Sequence, residues 1–222
     1  MVEQIGKIEK PLAEDFKNGR KLYLVPLIYE GDKLPNEYLF LVNKYWRQVE
    51  KQVEDLESKL GQINRIYHEL ISSTGGEGLV KLKDMSKYSY RFIERRIKKG
   101  SQFEATEDAE ILLELMDWNR CIAIGLQNPR VVSEIYKYFS ESNKRRNEFI
   151  TRRIDETLKA DEIGILFLSE GHQIQLPPGV EIFYVSPPEL DGIKRWLREW
   201  ETKLAKKESD EQRAKGDSPQ TG

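Results

Sequence analysis

The sequence predicts an α/β fold: helix-rich, with a small, mainly parallel sheet of three or four strands, packed helices and a disordered C-terminal tail. Three observations carry that expectation. Apolar stripes at helical spacing cover most of the chain. Short β-rich apolar runs fall between them. Those runs are separated mostly by helices, as parallel crossovers require. One domain is expected over residues 1–205, with a tail over 206–222.

The first strand is read over Leu22 to Tyr29, apolar and β-rich, and ended by Glu30-Gly31-Asp32. Pro26 inside it points to an edge strand or a bulge. A long helix follows from Asn36 to Leu60, with the stripe Tyr38, Leu41, Tyr45, Val49, Val53, Leu56 and Leu60. Gly61 weakens it, and a second helical piece carries Ile63, Ile66, Tyr67, Leu70 and Ile71. "SSTGGEG" is a loop. Leu79 to Lys99 is helical and closes at Gly100. The next helix, "ATEDAEILLELMDW", takes Thr106 as its N-cap, with Glu107 and Asp108 at its positive end. "RCIAIGL" is a short strand or a buried helix turn, which periodicity does not separate. A helix from Asn128 to Leu158 and strands at Ile165–Leu168 and Glu181–Val185 follow. Ser186, Pro187 and Glu189 form a capping box for the last helix, whose buried face is Ile193, Trp196, Leu197, Trp200 and Leu204. From about Lys206 no large apolar residue remains to offset the entropy of ordering.

Composition narrows the function. The chain has 222 residues, 38% hydrophobic and 33% charged, with net charge -2. No apolar run approaches the ~20 residues of a membrane helix, and residues 1–20 lack an apolar leader. Cys121 is the sole cysteine, which rules out an internal disulfide and a multi-cysteine zinc site. A cytoplasmic protein is expected, with no membrane partner. The charge balance disfavours nucleic acid, and the basic runs Arg95–Lys99 and Lys144–Arg146 read as solvated helix faces. No phosphate loop, dinucleotide-binding glycine triplet or nucleophile elbow is present. No cofactor and no metal site are expected, because two histidines would need Glu69 or Glu170 to complete a ligand set.

Two features carry candidate chemistry. Glu170, Gly171 and His172 follow an apolar strand, and ligands of open α/β sheets sit beyond strand carboxyl ends. Glycine there admits close approach, and a histidine transfers protons or binds metal. The same residues also fit a β-hairpin turning at Glu170-Gly171. On the long helix, Asn143 and Arg146 interrupt the stripe Ile135, Phe139, Ile150, Ile154 and Leu158. Arg146 is either an anion-binding fork or the partner of a structural carboxylate such as Glu104 or Glu107. His68 and Glu69, adjacent on a predicted helix, do not share a face.

"RRNEFITRRIDETLKADEIGILFLSEGH", Arg145 to His172, resembles the C-terminal part of the TraB/Tiki superfamily. There a helix opening with an arginine leads to a strand ending in glycine–histidine. The resemblance implies an α/β site lined by His172, Gly171 and Arg145 or Arg146, in some members with a divalent metal. It covers 28 of the residues. After the first strand the family carries a glycine and a histidine; here "LIYEGDKLP" offers Glu30 instead, and Glu170 stands where a small residue is usual. The expected function is a small-ligand-binding or regulatory protein using Arg146, Glu170, Gly171, His172 and Glu30 on a small anionic ligand. One alternative is a hydrolase with His172 as general base or metal ligand. Another is a helical module that forms homo-oligomers through the Tyr38–Leu60 stripe.

Overall fold

The computed structural model describes residues 18–30 and 34–216, with side chains described to residue 206. Five strands form one sheet: β1 (Arg20–Pro26), β2 (Arg65–His68), β3 (Gln102–Phe103), β4 (Ile163–Leu168) and β5 (Val180–Tyr184). Their order is β3-β2-β4-β1-β5, and every neighbouring pair is parallel. Among the described residues there are six helices: α1 (Asn36–Leu60), α2 (Gly75–Met85), α3 (Lys87–Ile97), α4 (Ala109–Ala123), α5 (Pro129–Thr157) and α6 (Glu189–Gly216). The α/β class stands, with one or two more strands than the sequence suggested.

The connections obey one rule. From β1 to β2 and β2 to β3 the chain steps toward the β3 edge, and α1, α2 and α3 pack on one face with α6. From β3 to β4 and β4 to β5 it steps back, and α5 and the β4–β5 loop cover the other face. Opposite steps on opposite faces are what a single crossover hand demands. The first face holds the larger core, around Tyr23, Val25, Trp46, Val49, Phe92 and Phe167. On the second, Ile150, Ile154 and Leu158 of α5 meet Leu22, Leu24, Tyr67 and Leu166. Each such fully buried side chain contributes about 2 kcal/mol. Gly164 lets α5 come this close, since a Cβ there would lie 2.9 Å from Leu22 and 3.3 Å from Leu158.

Several expectations need correction. The residues Ile63 to Ile71 are not helical. Their threes-and-fours spacing imitates a helix, but Arg65–His68 is a buried strand flanked by loops. Pro26 marks no edge: β1 lies between β4 and β5, and the proline is its last residue. Its carbonyl accepts the hydroxyl proton of Tyr45. Leu79–Lys99 is two helices parted at Ser86, whose hydroxyl caps α3 by accepting the Ser89 amide proton. Asp108, not Thr106, caps α4; its carboxylate accepts from the amides of Glu110 and Ile111, both at 3.0 Å. "RCIAIGL" is the exposed end of α4 and the loop after it. Glu189 opens α6 rather than completing a capping box. The Tyr38–Leu60 stripe is core: Tyr38, Tyr45, Val49 and Val53 are buried, so it offers no oligomer seam.

Asn128 and Pro129 begin α5 as a capping residue followed by a proline in the first turn. The backbone of α6 continues to Gly216. The expectations for the first 17 residues, for Gly31 and Asp32, and for residues 217–222 lie outside the described residues.

Candidate functional site

In a parallel sheet a crevice opens where the chain leaves two neighbouring strands in opposite directions. Here β2 leaves toward the β3 edge and β4 toward the β5 edge, so the crevice lies between their carboxyl ends. Glu69 directly follows β2, and Ser169 directly follows β4. Glu69 is 5% exposed. Its carboxylate accepts the Ser169 amide proton at 3.0 Å, the Ser169 hydroxyl proton, and the Tyr29 hydroxyl proton at 3.1 Å. One carboxylate thus ties together the segments after β1, β2 and β4.

Arg146 reaches this carboxylate from α5, with Nη2 3.7 Å from Glu69. Its main partner is Glu107, which sits between β3 and α4. Arg146 Nε donates to the two Glu107 oxygens at 3.0 and 2.9 Å, and Nη2 donates to Oε1. Glu107, fully buried at its side chain, also accepts the Leu70 amide proton at 3.1 Å. Leu70 holds φ at +65°, a left-handed backbone that a branched side chain seldom adopts. Such strain persists only where the surroundings enforce it; here the Glu107 hydrogen bond does so.

Burial works against the Arg146 charge, but the hydrogen bonds and charge of Glu107, then the charge of Glu69, outweigh it and raise its pKa. Burial, reinforced by Glu69, raises the Tyr29 pKa, so its hydroxyl stays neutral and donating. His68 turns the other way, onto Phe167, with ring centroids 5.7 Å apart. Its Nδ1 lies 2.6 Å from the Glu69 carbonyl, and complete burial drives its pKa down to about 4. The Nε2 of His68 is buried without a hydrogen-bond partner.

The residues singled out from sequence divide. Arg146 belongs to the cluster. His172 is exposed at the rim, where partial burial lowers its pKa and the Glu69 charge pulls the other way. Gly171 holds φ at +81° in the turn after β4. That turn is no hairpin: β5 pairs in parallel with β1, and the loop from Ser169 crosses to the α5 face. Glu170 pairs with Lys194 of α6 at 2.7 Å. Glu30 pairs with Lys87 at 3.2 Å and accepts the Tyr88 amide proton at 3.2 Å, at the start of α3. Neither glutamate joins Glu69. Arg145 binds Glu114 on α4 and stays outside the cluster.

A groove of about 610 Å³ runs between α5 and the β4–β5 loop, from this edge at Asn147 and Gln173 to the opposite edge at Asp155 and Pro178, which Arg20 of β1 binds. Asn143, Asn147, Thr151, Gln173 and Gln175 line it, with Lys144 and Arg152 balanced by Glu148 and Asp155. Asn147 and Gln173 are the chain neighbours of Arg146 and His172. Among the described residues no three His, Cys, Asp or Glu side chains gather as a metal would require. No described helix is long and apolar enough to cross a membrane.

Sequence reasoning weighed Glu69 only as a carboxylate to complete a metal ligand set, not as the centre of a site, and treated Glu107 as one structural partner among two. The signal for Glu69 was an acid ending a short apolar run. Read as a strand, adjacent residues face opposite ways, which sends His68 into the aromatic core and Glu69 to the crevice. Comparison with protein-family models, with curated proteins and with solved structures finds no match.

Proposed function

We propose that the chain is a small-ligand-binding protein whose site lies at the carboxyl edge of the sheet, around Glu69, Tyr29, Ser169 and His172. The observation that supports this reading is the convergence of Glu69, Tyr29 and Ser169, with His172 at the rim within reach of the Glu69 charge, at the crevice between β2 and β4, the place where open α/β sheets take ligands. The ligand class differs from the anion expected from Arg146. That guanidinium faces two carboxylates, Glu107 and Glu69, so the cluster carries surplus negative charge. The neighbouring groove is lined by amides, which both donate and accept hydrogen bonds, and its charges balance. An uncharged, hydroxyl- or amide-bearing small molecule fits this chemistry. Arg146 then positions Glu69, and the TraB/Tiki-like use of Arg146 and His172 becomes a shared frame with altered ligand chemistry. The lone cysteine agrees with a cytoplasmic setting.

Melting shifts with two probe sets, neutral sugars and amides against phosphate and citrate, test this. A neutral compound should raise Tm in the native protein and lose that effect in Gln173→Ala and His172→Ala. Shifts by anions alone would overturn the ligand class; no shift from either set would overturn the binding reading. The hydrolase alternative keeps one specific support, the Ser169 hydroxyl bonded to Glu69 beside His172. Ester turnover lost in Ser169→Ala would favour it.

A further inference from the structure

We propose that the arm made by α4 and the first half of α5 pairs with the same arm of a second copy of this chain, closing a four-helix bundle. α4 packs against α5 and has no comparable contact with the sheet or another helix. Two helices alone cannot enclose a core, and Leu115 is the one buried apolar residue of α4. Leu113, Met116, Ile124, Leu126, Val131 and Tyr136 are left exposed, half of the large exposed hydrophobics among the described residues. They present on the order of 600 Å² of apolar surface, against ~800 Å² of total surface per partner in a standard interface.

The tip is self-complementary. Ile124 projects from it, 72% exposed. Beside it an apolar cleft of about 230 Å³ opens between the two helices, lined by Ile122, Leu126, Val132, Ile135 and Tyr136. A two-fold contact seats each Ile124 in the other copy's cleft, so that one surface serves as both knob and hole. Charge agrees with a like partner. Acids and bases interleave along the arm, Asp117 with Arg120, Glu134 with Lys137, and Glu141 with Lys144. A nucleic acid or an anionic lipid surface would call for one sign.

Sedimentation equilibrium of the full chain at about 100 µM tests the proposal, since interfaces of this size bind at micromolar Kd or tighter. The expected mass is about twice the 26.0 kDa of one chain. Ile124→Glu should halve it while the far-ultraviolet dichroism stays unchanged, because that side chain is exposed within one copy. Phe40→Glu, equally exposed but on α1, should leave the dimer intact. A monomeric native protein would overturn the proposal. So would a dimer that survives Ile124→Glu combined with Leu113→Glu, or one lost equally in Phe40→Glu.

Discussion

Arg96 and Arg146 are built alike and do different work. Each is a guanidinium between two glutamates. Arg96 joins α3 to α1 through Glu50 at 2.9 Å and Glu57 at 3.0 Å, over the face of Phe92. Arg146 joins α5 to Glu107 and Glu69. The first set lies within a helical layer, away from the strand ends, beside a shallow cleft of about 360 Å³ that Glu50, Arg91 and Arg95 help to line. The second stands at the diverging exits of β2 and β4, with Tyr29, Ser169 and the left-handed Leu70 around it. An ion triad alone is therefore no sign of function; its place in the topology is. The acids differ too. Glu50 and Glu57 keep 18% and 13% of their side chains in water, whereas Glu107 and Glu69 keep 0% and 6%.

That difference sets the largest expected effect. Removing a cation costs most where the carboxylates left behind are out of water. Arg146→Met should destabilise the fold by about 4 kcal/mol. Arg96→Met should cost about 2 kcal/mol, because Glu50 keeps Arg95 and both acids touch solvent. Urea unfolding of the two variants makes the comparison. Equal losses would mean that the edge cluster is no tighter than the layer clamp. The same loosening should free the arm, since Glu107 precedes α4 and Arg146 lies in α5.

His68 gives the next effect, and its sign follows from burial. Its folded pKa, about 4, lies below the ordinary 6.5. Above 6.5 both states hold neutral imidazole. As pH falls from 6.5 toward 4, the unfolded chain takes up a proton that the folded chain refuses, so stability drops across that window. The loss is on the order of 3 kcal/mol when complete. Stability measured against pH in the native protein and in His68→Leu isolates it from the carboxylates. The variant should show a shallower fall between pH 6.5 and 4; parallel curves would show that His68 titrates normally.

How far the sequence reached follows the same physics. The long helices α1 and α5 were legible because their stripes span many turns, and Asn128-Pro129 marks the start of α5. The strands β1, β4 and β5 were legible as apolar runs between turns. β2 was not: four residues carry too little period, and its flanks mimic helical spacing. With β2 hidden, Glu69 sat on the wrong kind of element, and the crevice had no second wall. Arg146 and His172 were visible without the carboxylate that relates them. The ion pairs that remove Glu30 and Glu170 from the site involve Lys87 and Lys194, set by helix placement rather than by any local motif.

The smallest expected effect concerns His172 and completes the contrast with His68. His172 is exposed and makes no hydrogen bond or ion pair among the described residues. Truncating it leaves no cavity and no unpaired partner, so His172→Ala should change stability by less than about 0.5 kcal/mol. Gly171 beside it has open space around its missing Cβ, yet its φ of +81° makes Gly171→Val costly for backbone reasons. The pair separates two roles for the turn. If the turn serves only to pass the chain across to the α5 face, Gly171→Val lowers stability and His172→Ala leaves every measurement unchanged. If it serves the crevice, His172→Ala abolishes the ligand-dependent melting shift at unchanged intrinsic stability. A loss above about 1 kcal/mol on His172→Ala would make the histidine a structural residue and confine the site to Glu69, Tyr29 and Ser169.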